Sequence, residues 1–454
     1  MFRRKDRAAK TLGQVNREVQ HATGARKARP NTATDAGIEV LPEYLQAKAF
    51  VDEGVRLVLV TGGAGTGKST FIRWMAGQFD GATILAAPTG IAALNAGGKT
   101  LHSLCKFPPA WLMRKDIKID SKSPVLKARL LIIDEISMVG ANLLDAVDHF
   151  LQANRKNPLP FGDLPVILVG DLFQLPPVVT SSERSLFKKW YSSPKFFAAS
   201  AVTSVPFRSI ELTKPFRQGE QRFVSLLSNI REGRDLESTL AALNSQVAIT
   251  GSPGDGSVWL CPRNVDVDRV NAERLARLPG RTQTYQAEVE GAFKESNYPV
   301  PGRIELKEGT QVVLARNGAE YVNGSVATVT SLGASRVEVR LASSGDVVQV
   351  PLGIWEQYDY VVDAESGVLD RVVVGKFTQL PVVLGWASTI HRSQGRTLDA
   401  VHLDLGAGAF ETGQMYVALS RCRSLRTLSL TRPLRPSDVI VDPEATAFHH
   451  SIRN

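Results

Sequence analysis

Gly62-Gly63-Ala64-Gly65-Thr66-Gly67-Lys68-Ser69 is the stretch whose reading decides the fold. It follows the apolar run Leu57-Val58-Leu59-Val60 and leads into Phe71-Ile72-Arg73-Trp74-Met75-Ala76. This is the G-x-x-x-x-G-K-[ST] phosphate loop in the setting that gives it meaning, with a strand before it and a helix after it. Its glycines let backbone N–H groups turn inward around phosphate oxygens, where side chains would obstruct. The helix that begins here adds the positive end of its dipole. Gly63, Ala64, Gly65, Thr66, Gly67, Lys68, Ser69 and Thr70 are therefore the expected cradle of a nucleoside triphosphate. Lys68 can reach the β- and γ-phosphates, and the Ser69 hydroxyl can ligate Mg²⁺.

Working outward, residues 38–54 read as a helix ahead of the first strand. After the loop, Thr83-Ile84-Leu85-Ala86-Ala87 is a buried strand that ends in the polar turn Pro88-Thr89-Gly90, and Thr100-Leu101-His102-Ser103 closes the segment. Leu130-Leu131-Ile132-Ile133 is an apolar strand ending in Asp134-Glu135, and Pro165 to Asp171 is another, followed by Leu172-Phe173-Gln174. Apolar strands alternating with helical segments predict a doubly wound parallel sheet, hence an α/β fold. Ligands sit at the carboxyl ends of such strands. Downstream of a phosphate loop, Asp134 is suited to the Mg²⁺ shell and Glu135 to orienting and polarising the attacking water. Gln174 can hydrogen-bond a γ-phosphate or its water. Thr89, His102 and Ser103 can touch phosphate, although a helix cap accounts for Thr89 and Ser103 almost as well.

Residues 106–127, with Phe107-Pro108-Pro109, Trp111 and scattered lysines, contain no long element. They read as a surface loop or as a projection that meets a duplex junction. The second half carries Phe216-Arg217-Gln218, a helix over Phe223 to Ile230, the strand Val258-Trp259-Leu260-Cys261 and a helix over Val265 to Leu278. Residues 300–376 change character: short alternating stretches separated by glycines predict a small inserted all-β barrel. The α/β pattern resumes at Pro381 to Ala387, and Ile390-His391-Arg392-Ser393-Gln394-Gly395 and a helix ending in Arg421 follow.

At 454 residues the chain suits several domains, and its 43% apolar and 22% charged content is that of an ordinary globular protein. No apolar run approaches the length of a bilayer span, so no membrane partner is expected. The net charge of +9 favours polyanionic partners. Cys105, Cys261 and Cys422 fit neither a zinc pattern nor a disulfide framework, which points to a reducing compartment. Residues 1–37 are basic and lack apolar periodicity. They read as a flexible tail, and an arginine-rich, acid-poor start also leaves a mitochondrial transit peptide open.

Together the motifs resemble the superfamily-one DNA helicases of the Pif type (petite integration frequency), relatives of the RecD subunit. The resemblance rests on residues 63–69, Ala87-Pro88-Thr89-Gly90-Ile91-Ala92-Ala93, Ile133 to Val139, Gly170 to Val178, Phe216-Arg217-Gln218, Ile390 to Gly395 and Tyr416-Val417-Ala418-Leu419-Ser420-Arg421, in that order. It covers roughly residues 38–432. It implies two tandem RecA-like parallel-sheet domains of the P-loop NTPase class, with a small inserted SH3-like all-β domain. The first RecA-like domain would span 38–205 with a wedge at 106–127, the second 206–299 and 377–440, the insert 300–376, and 441–454 would be a tail. ATP and Mg²⁺ would bind between the lobes, with Lys68, Ser69, Asp134, Glu135 and Gln174 on the first and the arginine fingers Arg217 and Arg421 on the second. Gln46 would read adenine. Single-stranded DNA would meet Pro88, Thr89, His102, His391, Ser393 and Thr397, and forked or tailed duplexes would be substrates. Such a chain is expected to be monomeric when free. It would work in DNA replication, repair or recombination, in a bacterial-type cytoplasm or, in a eukaryote, in mitochondria or nucleus. A strand-dependent ATPase that remodels protein–DNA complexes, and a nucleotide-gated binding module without turnover, are the competing functions.

Overall fold

Leu57–Gly62, Leu130–Ile133 and Val166–Gly170 are buried along their whole length, a pattern suited to strands covered on both faces. The computed structural model describes residues 39–453 other than 80–81, 217–220, 252–256, 294, 296–297, 322–324, 343, 363–368, 396–397, 399 and 423. Helix α1 (Pro42–Asp52) leads into β1 (Leu57–Gly62), and α2 (Lys68–Gly77) leaves the phosphate loop. With β2 (Thr83–Ala87), β3 (Lys99–Thr100), β4 (Leu130–Ile133), β5 (Val166–Gly170) and β6 (Arg208–Leu212), β1 forms a parallel sheet in the order β3-β2-β4-β5-β1-β6. Helix α3 (Ala141–Arg155) buries Leu144, Val147, Phe150 and Leu151 in the core of this lobe.

Residues 106–127 lie along α3 instead of standing away from it. Asn142 accepts from the Leu112 N–H at 3.0 Å and donates to the Leu112 carbonyl at 2.9 Å. Asn154 accepts from the Asp120 N–H at 2.7 Å and donates to the Lys118 carbonyl at 3.0 Å. Leu112 and Val125 enter the core, and Trp111 meets the Phe187 ring edge-on at 4.9 Å.

The second lobe begins with α4 (Gln221–Glu232), β7 (Ala248–Ile249) and β8 (Val258–Cys261). Antiparallel pairing then runs from β9 (Gln283–Gln286) and β10 (Glu288–Gly291) through β11 (Arg303–Leu306), β12 (Gln311–Leu314), β13 (Val326–Leu332), β14 (Arg336–Leu341) and β15 (Val347–Pro351). It ends with β16 (Gly353–Val362), β17 (Leu369–Gln379) and β18 (Val382–Leu384). The all-β region is thus wider than 300–376. The run at 381–387 divides: Val382–Leu384 pairs antiparallel with β12, and β19 (Ala387–Thr389) alone joins the second parallel sheet. Apolar content marks a strand but does not say which sheet receives it. That second sheet, order β19-β8-β20-β21-β7, is completed by β20 (Val401–Leu403) and β21 (Leu428–Leu430). Helix α5 (Gln414–Leu419), which precedes Arg421, has every side chain buried.

Residues 441–454 are not merely a tail. Helix α6 (Pro443–Ser451) is capped by Asp442, which accepts from the Glu444 and Ala445 N–H groups at 3.0 and 3.2 Å. It returns to the first lobe, where Phe448 stacks on Phe197 at 4.5 Å and Lys195 pairs with Asp442 at 2.6 Å and Glu444 at 2.7 Å. Cys105, Cys261 and Cys422 are buried free thiols. Among the described residues no helix is long and apolar enough to cross a membrane.

Candidate functional site

The phosphate loop turns between β1 and α2 with Gly65 at φ 80° and Gly67 at φ 89°. At Gly67 a Cβ would also lie 2.8 Å from the Tyr44 hydroxyl and 3.1 Å from the Phe216 ring, so both backbone angle and space demand glycine. Tyr44, from α1, donates to the Gly67 carbonyl at 3.0 Å. Gln46, two residues on, is exposed and does not line the cavity; the residue that α1 brings to the loop is Tyr44. Lys68 donates to the Gly62 and Gly63 carbonyls at 2.7 and 2.8 Å. Burial pulls the Lys68 ammonium below the ordinary lysine pKa, against the pull of Asp171, Glu135 and Asp134.

Ala64, Gly65, Gly67, Lys68, Ser69 and Thr70 line a cavity of about 200 Å³ together with Asp134, Glu135, Gln174, Phe216, Gly395 and Arg421. The carboxylates arrive where β4 ends. Glu135 adopts the left-handed region at φ 51°, an uncommon backbone for a side-chain-bearing residue, and its N–H donates to Asp134 Oδ1 at 2.8 Å. Burial, followed by the charge of Glu135, lifts the Asp134 carboxyl above the usual carboxylate range. Gln174 is buried at the cavity wall. Among the described residues no set of three or more His, Cys, Asp and Glu side chains forms a metal cage. Ser69 and Asp134, which share this wall, fit Mg²⁺, a cation commonly held by one or two protein oxygens with phosphates and water.

The second lobe closes the cavity. Arg421 is 2% exposed, and its Nε and Nη2 donate to the Val417 carbonyl at 2.9 Å and to Ser420 Oγ at 2.7 Å. Gln394 donates to Glu135 Oε2 at 3.2 Å and to Gln174 Oε1 at 3.1 Å. Arg217 lies outside the described residues, as does Thr397, while the neighbouring Phe216 sits over the loop, its N–H donating to the Gly65 carbonyl at 2.8 Å.

A second cavity, about 910 Å³, opens between the lobes at the carboxyl ends of β5, β8 and β19. Pro177, Val178, Arg263, Asn264, Thr389, His391, Arg392 and Phe410 are among its walls. His391 is thus at this surface; burial lowers its pKa against the nearby Glu411. Ser393 is not: it is 2% exposed and donates to the Ile390 carbonyl at 2.7 Å, so the short helix consumes its hydroxyl. Thr89 accepts from the Ala92 N–H at 3.2 Å, the cap that competed with a ligand role. Pro88, Thr89 and the half-buried His102 line neither cavity; burial lowers the pKa of His102. Sequence reasoning missed Gln394 although it stands within Ile390 to Gly395, missed Tyr44, and missed Phe410, whose half-exposed ring lies 5.4 Å from the Arg263 guanidinium. A lone phenylalanine in a glycine-rich stretch carries no periodic signal.

A family model described as PIF1-like helicase matches residues 43–239. The ATP-dependent DNA helicase PIF1 of Homo sapiens is 34% identical over 435 residues, which cover 91% of this chain and 64% of the human protein. The ATP-dependent DNA helicase Pif1 of Bdellovibrio bacteriovorus is 32% identical over 429 residues, covering 91% of this chain and 92% of that one. Among solved structures, Bacteroides Pif1 bound to ssDNA is similar with a TM-score of 0.82 and 33% identity, over 92% of this chain and 98% of that chain. The chain belongs to the PIF1-like helicase family.

Proposed function

We propose that this chain is an ATP-driven DNA helicase that moves 5′→3′ along single-stranded DNA and separates duplexes ahead of it. The observation that carries the reading is that Lys68 of one lobe and Arg421 of the other line a single cavity. An arginine supplied across a cleft stabilises charge on a transferring phosphoryl group only while the cleft is closed. Hydrolysis is thereby tied to lobe closure, and product release to reopening. Lys68 and the loop N–H groups bind the β- and γ-phosphates, Glu135 orients the attacking water and Gln174 contacts the γ-phosphate. Ser69 and Asp134 would hold Mg²⁺, which when bound neutralises phosphate charge. Arg217 is the second finger of this scheme.

The single strand runs through the cavity between β5, β8 and β19, with Arg263, His391 and Arg392 toward its backbone and Phe410 toward a base. The Bdellovibrio and human relatives are named ATP-dependent DNA helicases, and the Bacteroides structure carries ssDNA, which supports the assignment. The inserted β domain closes over the strand. A second reading, a translocating ATPase that strips bound proteins without splitting duplexes, is favoured by the pinning of residues 106–127 along α3.

Unwinding of 5′-tailed and 3′-tailed duplexes, measured beside strand-stimulated ATP hydrolysis, tests the proposal. Separation of the 5′-tailed substrate alone is the expected result. Hydrolysis without separation selects the second reading, and no hydrolysis at saturating strand ends both.

A further inference from the structure

A chain of buried polar groups ties the arginine-bearing segment of the second lobe to the phosphate loop of the first. The Tyr416 hydroxyl accepts the Ala64 N–H at 2.6 Å and donates to Asp171 Oδ2 at 2.6 Å. Asp171, 0% exposed just beyond β5, also accepts from Arg231 Nε at 3.0 Å, and Arg231 lies on α4 of the second lobe. A buried carboxylate persists only when it is paired and hydrogen-bonded. Burial opposes its ionisation, but Arg231, Lys68 and the Tyr416 hydroxyl outweigh burial and hold its carboxyl below the usual range. An ionised carboxylate only accepts, so Tyr416 must donate to it, which turns a hydroxyl lone pair toward Ala64. The hydroxyl is locked in orientation from both sides. Tyr416 opens the segment Tyr416-Val417-Ala418-Leu419-Ser420-Arg421, so the anchor and the cavity-lining arginine move as one piece.

We propose that Tyr416 is a positioning residue for hydrolysis: its hydroxyl, held by Asp171, gauges the separation of the phosphate loop from Arg421 and so sets how deeply that arginine enters the site. The inference rests on Arg421 acting as a finger. Tyr416 itself touches the loop through Ala64 and acts through Arg421.

Tyr416→Phe removes the oxygen and keeps the ring. With saturating single-stranded DNA, kcat for ATP hydrolysis falls roughly tenfold or more while KM for ATP changes far less. In an Arg421→Ala background the same change adds nothing, because no finger remains to be placed. An unchanged kcat, or an equal loss in both backgrounds, overturns the proposal. Hydrogen exchange of the peptide containing Ala64, followed in the full chain without nucleotide, speeds up in Tyr416→Phe; unaltered exchange also overturns it. Normal hydrolysis by Arg421→Ala would remove the finger, and this role with it, while the exchange result would still report whether Tyr416 holds the loop.

Discussion

Gln394 of the second lobe donates to Glu135 of the first at 3.2 Å, across the nucleotide cleft. Its amide also reaches Gln174 at 3.1 Å, so one side chain joins the carboxylate assigned to the water and the glutamine assigned to the γ-phosphate. Gln394 follows His391 and Arg392, which line the inter-lobe cavity proposed for the strand. Gln394→Ala is expected to lower kcat for strand-stimulated ATP hydrolysis by roughly ten- to a hundredfold, with nucleotide affinity little altered. Steady-state hydrolysis beside a fluorescent-nucleotide titration checks this, and a wild-type kcat would show that the bridge does not transmit.

Glu135 sits in left-handed backbone that presents its carboxylate to the cavity, and among the described residues no other carboxylate besides Asp134 lines that wall. Glu135→Gln keeps the shape and removes the base. Nucleotide binding should persist while turnover drops by about 10²- to 10⁴-fold, as measured by product release in a single-turnover assay. Normal turnover would mean that the water is activated elsewhere.

Helix α6 crosses back to the first lobe and is held there by Phe448 on Phe197 and by Lys195 between Asp442 and Glu444. Phe448 is partly buried in the first-lobe core. Removing the ring should cost about 1–3 kcal/mol. Phe448→Ala is therefore expected to lower the first calorimetric unfolding transition by several degrees. An unchanged transition would mean that the Phe448 ring contributes nothing to the stability of the first lobe.

The nucleotide half of the site was legible because its chemistry is local. Backbone N–H groups must converge on phosphate, so glycines and Lys68 crowd into eight residues, and apolar strands deliver Asp134 and Gln174 to the same sheet edge. The resemblance points to Gln46 as the adenine reader, but Gln46 is exposed and off the cavity wall, and it is Tyr44 of the same helix that meets the loop. Which side chain of a helix faces a loop depends on how the helix packs, which a motif match does not carry. The break at Gly385, where one apolar run serves two sheets, depends on a partner strand far away in sequence. The docking of α6 was equally hidden, since it turns on Phe448 meeting Phe197, a contact with no local pattern.

Two carboxylates that secure α6 should make its docking acid-sensitive. A hydrogen bond from His449 holds the Glu211 carboxyl below its ordinary range, and bonds from Lys195 and Ser193 do the same for Glu444. A depressed carboxylate stabilises the fold at every pH above its unfolded value, and that contribution is lost as pH falls through the folded one. The difference in unfolding temperature between wild type and Phe448→Ala should stay constant from neutrality to about pH 5 and shrink below about pH 4, where α6 is already loosened. A difference that narrows toward alkaline pH instead would have the wrong sign for these pairs.

Phe410 and Arg263 allow two kinds of strand contact to be separated. The ring is 51% exposed at the inter-lobe cavity, and the guanidinium lies 5.4 Å from its centre. Stacking on a base is worth about 1–3 kcal/mol and needs no counterion, whereas each phosphate contact releases one. Phe410→Ala should weaken single-stranded DNA binding roughly five- to a hundredfold at every salt concentration and leave the slope of log affinity against log salt unchanged. Arg263→Ala should instead flatten that slope by about 0.7. Fluorescence anisotropy with a labelled oligonucleotide, titrated at several salt concentrations, reads both. A Phe410→Ala variant that binds like wild type would remove the base platform from the proposed path of the strand, and an altered slope in that variant would mean that the ring acts by placing the arginine rather than by stacking.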